Sequence, residues 1–211
     1  MKKLKVRLTF KEGVLGTQST DKEIYNNFIA SKAPAGTDID AELKAIDVDR
    51  EIEKGTTVFA MTEDGEPALY DYQIKGFFKG SCSFLQRATG KDPETGKKKK
   101  AANESSKIKA YKKEIDGTIF VMPRMIPLIL PEGEDITICQ RPLRAQTAQG
   151  ERVALASSEE APAGTQIEFE ILMLNEDLEP AVLEWLEYGQ LNGIGQWHNS
   201  GKGRFETQII G

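Results

Sequence analysis

Cysteine and histidine are nearly missing from this sequence: its 211 residues hold two cysteines, Cys82 and Cys139, and one histidine, His198. Two cysteines cannot form a disulfide framework, and they lack the spacing of a zinc site, so a reduced cytoplasmic setting is expected. One histidine excludes a His–His metal site and a two-histidine acid/base pair. No apolar run approaches the roughly 18 residues that a membrane-spanning helix needs. The basic start, MKKLKVRLTF, alternates like a strand and has no apolar signal-peptide centre. The expectation is a chain with no membrane partner, no cofactor and no metal. What is present is 39% hydrophobic and 29% charged residues, enough for a packed core and too ordered a mixture for global disorder. The length suits one sizeable domain spanning 1–211.

The net charge of −5 is unevenly spread. Residues 71–113 carry twelve Lys/Arg against four Asp/Glu, a local +8, so the remainder carries −13. Residues 151–190 hold ten acidic side chains and the single cation Arg152. Such asymmetry fits an anionic polymer as partner, and equally a solvated basic loop on an acidic protein.

Leu4, Val6, Leu8 and Phe10 alternate with polar residues, the pattern of a half-buried first strand. Thr20 or Asp21 can cap a helix bearing Ile24, Tyr25, Phe28 and Ile29, and a second helical pattern follows with Ile39, Leu43 and Ile46. Segments 57–61 and 68–72 read as strands of a hairpin turning at Asp64-Gly65. A short buried helix is expected to start near Gly76 and reach Arg87. Residues 89–113 form a basic insertion, mobile by composition, with the run Lys97-Lys98-Lys99-Lys100. Further strands are expected at 118–122, 136–139, 152–157 and 167–173, then a helix begun by Pro180 and ending at Gly189, a glycine-rich loop over 193–203, and a closing strand over 204–210. This order of elements suggests an α+β fold with a ferredoxin-like (RRM-like) βαββαβ sheet carrying large insertions.

Three segments carry a family resemblance. Gly193-Ile194-Gly195-Gln196-Trp197-His198-Asn199-Ser200-Gly201-Lys202-Gly203-Arg204 resembles the carboxy-terminal glycine-rich loop of the RAMP superfamily, the RNA-binding backbone subunits and RNA-processing nucleases of CRISPR systems. Glu160-Ala161-Pro162-Ala163-Gly164-Thr165 and the strand after it look like the turn and strand before that family's final helix. Ile74-Lys75-Gly76-Phe77-Phe78-Lys79-Gly80 is similar to its central glycine/lysine motif. Phe77, Phe78 and Ser200 depart from the pattern and mark a distant member, plausibly encoded by a phage or mobile element.

The resemblance implies binding of RNA or single-stranded nucleic acid without cleavage. Glycines 193, 195, 201 and 203 would bring backbone N–H groups to phosphate oxygens. His198, Lys202 and Arg204 would add phosphate contacts, and Trp197 would stack on an unpaired base. Lys75, Lys79 and Arg87 would surround an anion at a helix N-terminus. Two alternatives stand beside this reading. One is an interaction protein, which self-assembles or imitates and inhibits CRISPR complex subunits. The other is a metal-independent endoribonuclease using His198. The setting in each case is the cytoplasm of a bacterial or phage-infected cell.

Overall fold

The computed structural model describes residues 1–19, 55–91, 98–100, 103–147 and 150–211. In chain order these form β1 (Lys2–Phe10), β2 (Val14–Leu15), β3 (Gln18–Ser19), β4 (Thr57–Val58), β5 (Ala60–Met61) and β6 (Pro67–Tyr70), then α1 (Asp71–Arg87). The paired strands β7 (Thr89–Lys91) and β8 (Lys98–Lys100) lead to a 3-10 turn at Glu104–Lys107 and to α2 (Tyr111–Thr118). Next come β9 (Ile119–Met122), β10 (Met125–Pro127), β11 (Thr137–Thr147), β12 (Gly150–Ala161) and β13 (Gln166–Met173). α3 (Glu179–Asn192) and β14 (Phe205–Ile209) close the chain. The two helical patterns expected over residues 20–54 lie outside the described residues.

The main sheet has the order β14-β1-β13-β9, with every pair antiparallel. Period-two alternation decides its register. Leu4, Val6, Leu8 and Phe10 of β1 and Ile167, Phe169, Ile171 and Met173 of β13 all point to one buried face. A slip of one residue would turn both sets to water. That face is covered by Ile74, Phe78 and Cys82 of α1 and by Val182, Trp185 and Leu186 of α3. The Phe78 and Trp185 rings meet at 5.6 Å, which locks the two helices together over the sheet.

A second sheet is built on the long β11–β12 hairpin, paired from Thr137↔Glu160 to Thr147↔Gly150. Val14 and Leu15 join it opposite Ala161 and Glu160, and Thr57 pairs in parallel with Ser158. β11 continues well past Cys139, where the sequence reading ends its strand. Pro142 is tolerated because β11 is the edge strand and needs no donor there. The β5–β6 hairpin turns through Gly65, with φ +80°, at the expected Asp-Gly.

α1 corrects two boundaries. It begins at Asp71, not near Gly76, so Tyr72 is helical rather than the end of a strand. Gln73 accounts for the earlier start: its Oε1 accepts the Tyr70 N–H at 2.6 Å, closing the first turn as a capping box does. α3 likewise runs past Gly189 to Asn192, where Gly193 at φ +70° ends it.

Residues 103–108 of the basic insertion are docked on α1 and α3. The Glu184 carboxylate on α3 accepts the N–H groups of Glu104 and Ser105 and the Ser105 hydroxyl. Trp185 Nε1–H donates to the same hydroxyl at 2.8 Å. Asn103 and Gln86 satisfy the carbonyls of Leu85, Ser105 and Ile108. The segment docks because a half-buried carboxylate and the segment's backbone donors complete each other.

Cys82 lies beneath this contact. Burial is the main cause that pushes its thiol from 9.0 up to about 11; Glu184 adds to the rise and the Ser105 hydrogen bond opposes it. Native protein at pH 8 is expected to leave Cys82 unmodified by a disulfide-exchange reagent until denaturant is added, whereas half-buried Cys139 reacts slowly. Two fast thiols in native buffer would contradict the buried placement. Below pH 9 both folded and unfolded chains keep this proton. Between 9 and 11 only the folded chain does, so stability should fall as pH rises through that window.

Candidate nucleic-acid interface

The glycine-rich loop leaves α3 and doubles back across both sheets. Gly193 N–H donates to Gly189 O, Ile194 N–H to Gly203 O, and Gly203 N–H to Gly13 O. Gly203, at φ +67°, is the tightest point: a Cβ there would stand 2.0 Å from the Ile194 carbonyl oxygen. Trp197 adopts φ +58°, one of two non-glycine residues with positive φ among those described.

These bonds change what the loop can offer. The N–H groups of Gly193, Gly201 and Gly203 are spent inside the protein, Gly201 donating to His198 O. They cannot cradle a phosphate, as the sequence reading expects. Gly195 turns its carbonyl to His198, whose Nδ1 lies 2.8 Å away. A carbonyl only accepts, so Nδ1 carries the proton and Nε2 is the remaining acceptor of the neutral ring. Lys202 is paired with Glu160 at 2.5 Å. Trp197 presents one ring face to the Arg141 guanidinium, 5.0 Å from its centroid. Arg204 is exposed beside Gly201.

The central motif is likewise redistributed. Lys75 and Lys79 lie within α1, not at its N-terminus, and both face Asp116, at 3.9 and 2.5 Å. Lys75 also lies over the Phe120 ring. Arg87 occupies the last helical turn and is exposed. The expected anion site at a helix N-terminus is therefore not formed by these three residues, because the capping by Gln73 moved the helix start upstream.

What the structure brings together is the other half of each motif. Gly76 and Gly80 of α1 face Gly193, Ile194, Gly195 and His198 across a cleft of about 540 Å³. Tyr72, Phe77 and Phe84 supply aromatic walls, and Thr17, Gln73 and Asn192 the remaining polar groups. Among the described residues, no lysine, arginine, aspartate or glutamate lines it. Tyr72 and Phe84 are about half exposed, at 49% and 51%. A Cβ at Gly76 or Gly80 would meet nothing within 4 Å. Glycine inside a helix costs about 1 kcal/mol relative to alanine, and close packing does not require it at these two positions. Their effect is to leave the cleft floor open.

Sequence reasoning missed Tyr72, Phe84 and Arg141. Tyr72 falls where the sequence reading ends a strand, and Phe84 in a helix it expects to be buried, so neither was placed on an open side with Gly76 and Gly80. Arg141 is only 5% exposed. It donates to Ser158 Oγ and to Gln196 Oε1, while Gln196 also reaches Thr57 Oγ1. This network holds the loop against the second sheet. Nothing in the local pattern of β11 distinguishes Arg141 from an exposed strand cation. Among the described residues, no group of three His, Cys, Asp or Glu side chains is placed to hold a metal ion.

No protein-family model matches the chain, and no curated protein matches it in sequence. Solved structures do match in shape. One is a chain of the cryo-EM structure of the type III-B Cmr-beta bound to cognate target RNA, 13% identical, with a TM-score of 0.50. All of this chain aligns with it, and this chain spans 60% of that one's length. Another is the crystal structure of Cmr6 from Pyrococcus furiosus, 11% identical, TM-score 0.50, with 98% of each chain covered. Identities this low speak to architecture alone: this chain has an α+β fold similar to that of Cmr6 and of the matched Cmr-beta chain, in keeping with the RAMP resemblance of its motifs.

Proposed function

We propose that this chain is a non-catalytic RNA-binding protein of RAMP type, built on a ferredoxin-like sheet. The strand order supports the ferredoxin-like reading. Taken as first to fourth strands, β1, β9, β13 and β14 lie in the order fourth-first-third-second, with α1 on the first crossover and α3 on the second.

The observation that carries the binding role is the convergence of two distant motifs, Gly76–Gly80 and Gly193–His198, on one open, uncharged, aromatic-walled cleft. Single-stranded RNA is recognised by stacking of its unpaired bases on such surfaces. Cleavage would need a general base and a general acid near the scissile phosphate. Among the described residues of the cleft only His198 and Tyr72 are suited to either task, with no lysine or carboxylate beside them in the lining, which supports binding alone. The same fold in a chain of the Cmr-beta assembly supports a place for this protein in a multisubunit complex.

Labelled single-stranded RNA titrated at two salt concentrations tests the reading. Binding at low salt, weakened but retained at high salt, is expected, since stacking contributes beside the electrostatic part. No binding at low salt would sink it. Accumulation of cleavage products that disappear in His198→Ala would replace it with the endoribonuclease.

A further inference from the structure

We infer that the cleft between α1 and the glycine loop takes one unpaired nucleobase of a bound RNA, and that it reads the base rather than the phosphate. The inference rests on the RNA-binding role proposed above and reverses the part expected of the glycine loop.

Three observations carry it. First, the twelve described lining residues, Tyr72, Phe77 and Phe84 among them, include no lysine, arginine, aspartate or glutamate. A phosphate entering it would lose water without meeting a cation, whereas a planar neutral heterocycle would lose little. Second, the N–H groups of Gly193, Gly201 and Gly203 are taken by the Gly189, His198 and Gly13 carbonyls, so three of the loop's four glycines offer no donor to an anion. Third, Gly76 and Gly80 stand one turn apart with open space above them. The bare backbone surface between Tyr72 and Phe84 is flat enough for a ring to lie on it. The helix keeps two glycines there that packing does not demand.

The charge around the cleft suits the rest of a nucleotide. Arg87 lies three residues beyond Phe84 on α1, hence on a neighbouring helix face, and is exposed at the end of the helix. A base stacked on Phe84 would place its phosphate in water near Arg87. With Nδ1 of His198 turned to the Gly195 carbonyl, Nε2 is the ring nitrogen left to meet the base edge.

Full-length protein is titrated with a labelled single-stranded RNA and with an abasic strand of the same length and charge. The RNA is expected to bind about tenfold more tightly, the scale of one stacked base. Gly80→Leu, which fills the floor with a good helix former, should lose that tenfold while its thermal midpoint holds or rises. Phe84→Ala should do the same, and neither should change abasic binding. Arg87→Gln should weaken both strands and lower the salt dependence. Equal affinity for RNA and abasic strand would overturn the base site while leaving RNA binding in place. Adenosine or uridine alone binding as tightly as the oligomer would also overturn it, assigning the cleft to a free small molecule. Failure of every strand to bind at low salt would remove the RNA role and the base site together.

Discussion

Gly203→Ala is expected to destabilise the fold by about 4 kcal/mol. Roughly 1–2 kcal/mol comes from forcing an L side chain into left-handed backbone. The larger part comes from the Ile194 carbonyl, 2.0 Å from the new Cβ, which would have to move. That carbonyl belongs to backbone, not to a flexible side chain. Moving it disturbs the Ile194 N–H to Gly203 O and Gly203 N–H to Gly13 O bonds, each worth about 1 kcal/mol. For a chain of this size the melting midpoint should fall by about 10 °C. Gly65→Ala is the control: its φ is +80°, but a Cβ there meets nothing within 4 Å. It should cost only the left-handed part. If urea unfolding showed both variants equal, the steric account of the loop would be wrong.

Trp185→Ala is expected to cost a similar amount, about 3–5 kcal/mol. The indole is fully buried, stacks on Phe78, and its N–H holds the Ser105 hydroxyl. Its loss leaves a cavity at the junction of α1, α3 and the sheet, and unties one anchor of the 3-10 turn. Ser105→Ala should cost less, about 1–3 kcal/mol, by leaving the Trp185 N–H without a partner and removing one donor from Glu184. The two effects should be strongly non-additive, since each removes the same hydrogen bond. Proteolysis provides the second readout. If the turn is latched as described, Ser105→Ala exposes residues 103–113 to cleavage before global unfolding. Additive energies and unchanged cleavage would show that the turn is held by other contacts.

Much of the fold was legible because burial imprints periods on the chain. β1 and β13 show a clean alternation, each with one buried face, and the Asp-Gly hairpin carries its own turn chemistry. Pro180 marked the start of α3. Elsewhere local signals misled. Gly76 resembles a helix start, yet the chain begins α1 at Asp71 because a glutamine two residues on closes the first turn. Pro142 resembles a strand breaker, yet an edge strand carries it without loss. The docking of Glu104 and Ser105 depends on Glu184 from far along the chain, which no pattern within the insertion records.

The sites divide in the same way. By itself the sequence determined which residue types were available: one histidine, few cysteines, a glycine-rich loop, and a helix bearing two glycines four residues apart. It determined the strands of the main sheet as well, since a side chain's inward or outward direction follows from its own position in a strand. The tertiary structure decided which cations are neutralised, because Lys79 meets Asp116 and Lys202 meets Glu160 only when separate elements pack. It also decided that Gly193, Gly201 and Gly203 spend their N–H groups internally, and that Gly76, Gly80, Phe84 and His198 share one cleft with no lysine, arginine or carboxylate among its described residues. Charge pairing and cavity shape arise between elements distant in the chain, and no local pattern records them.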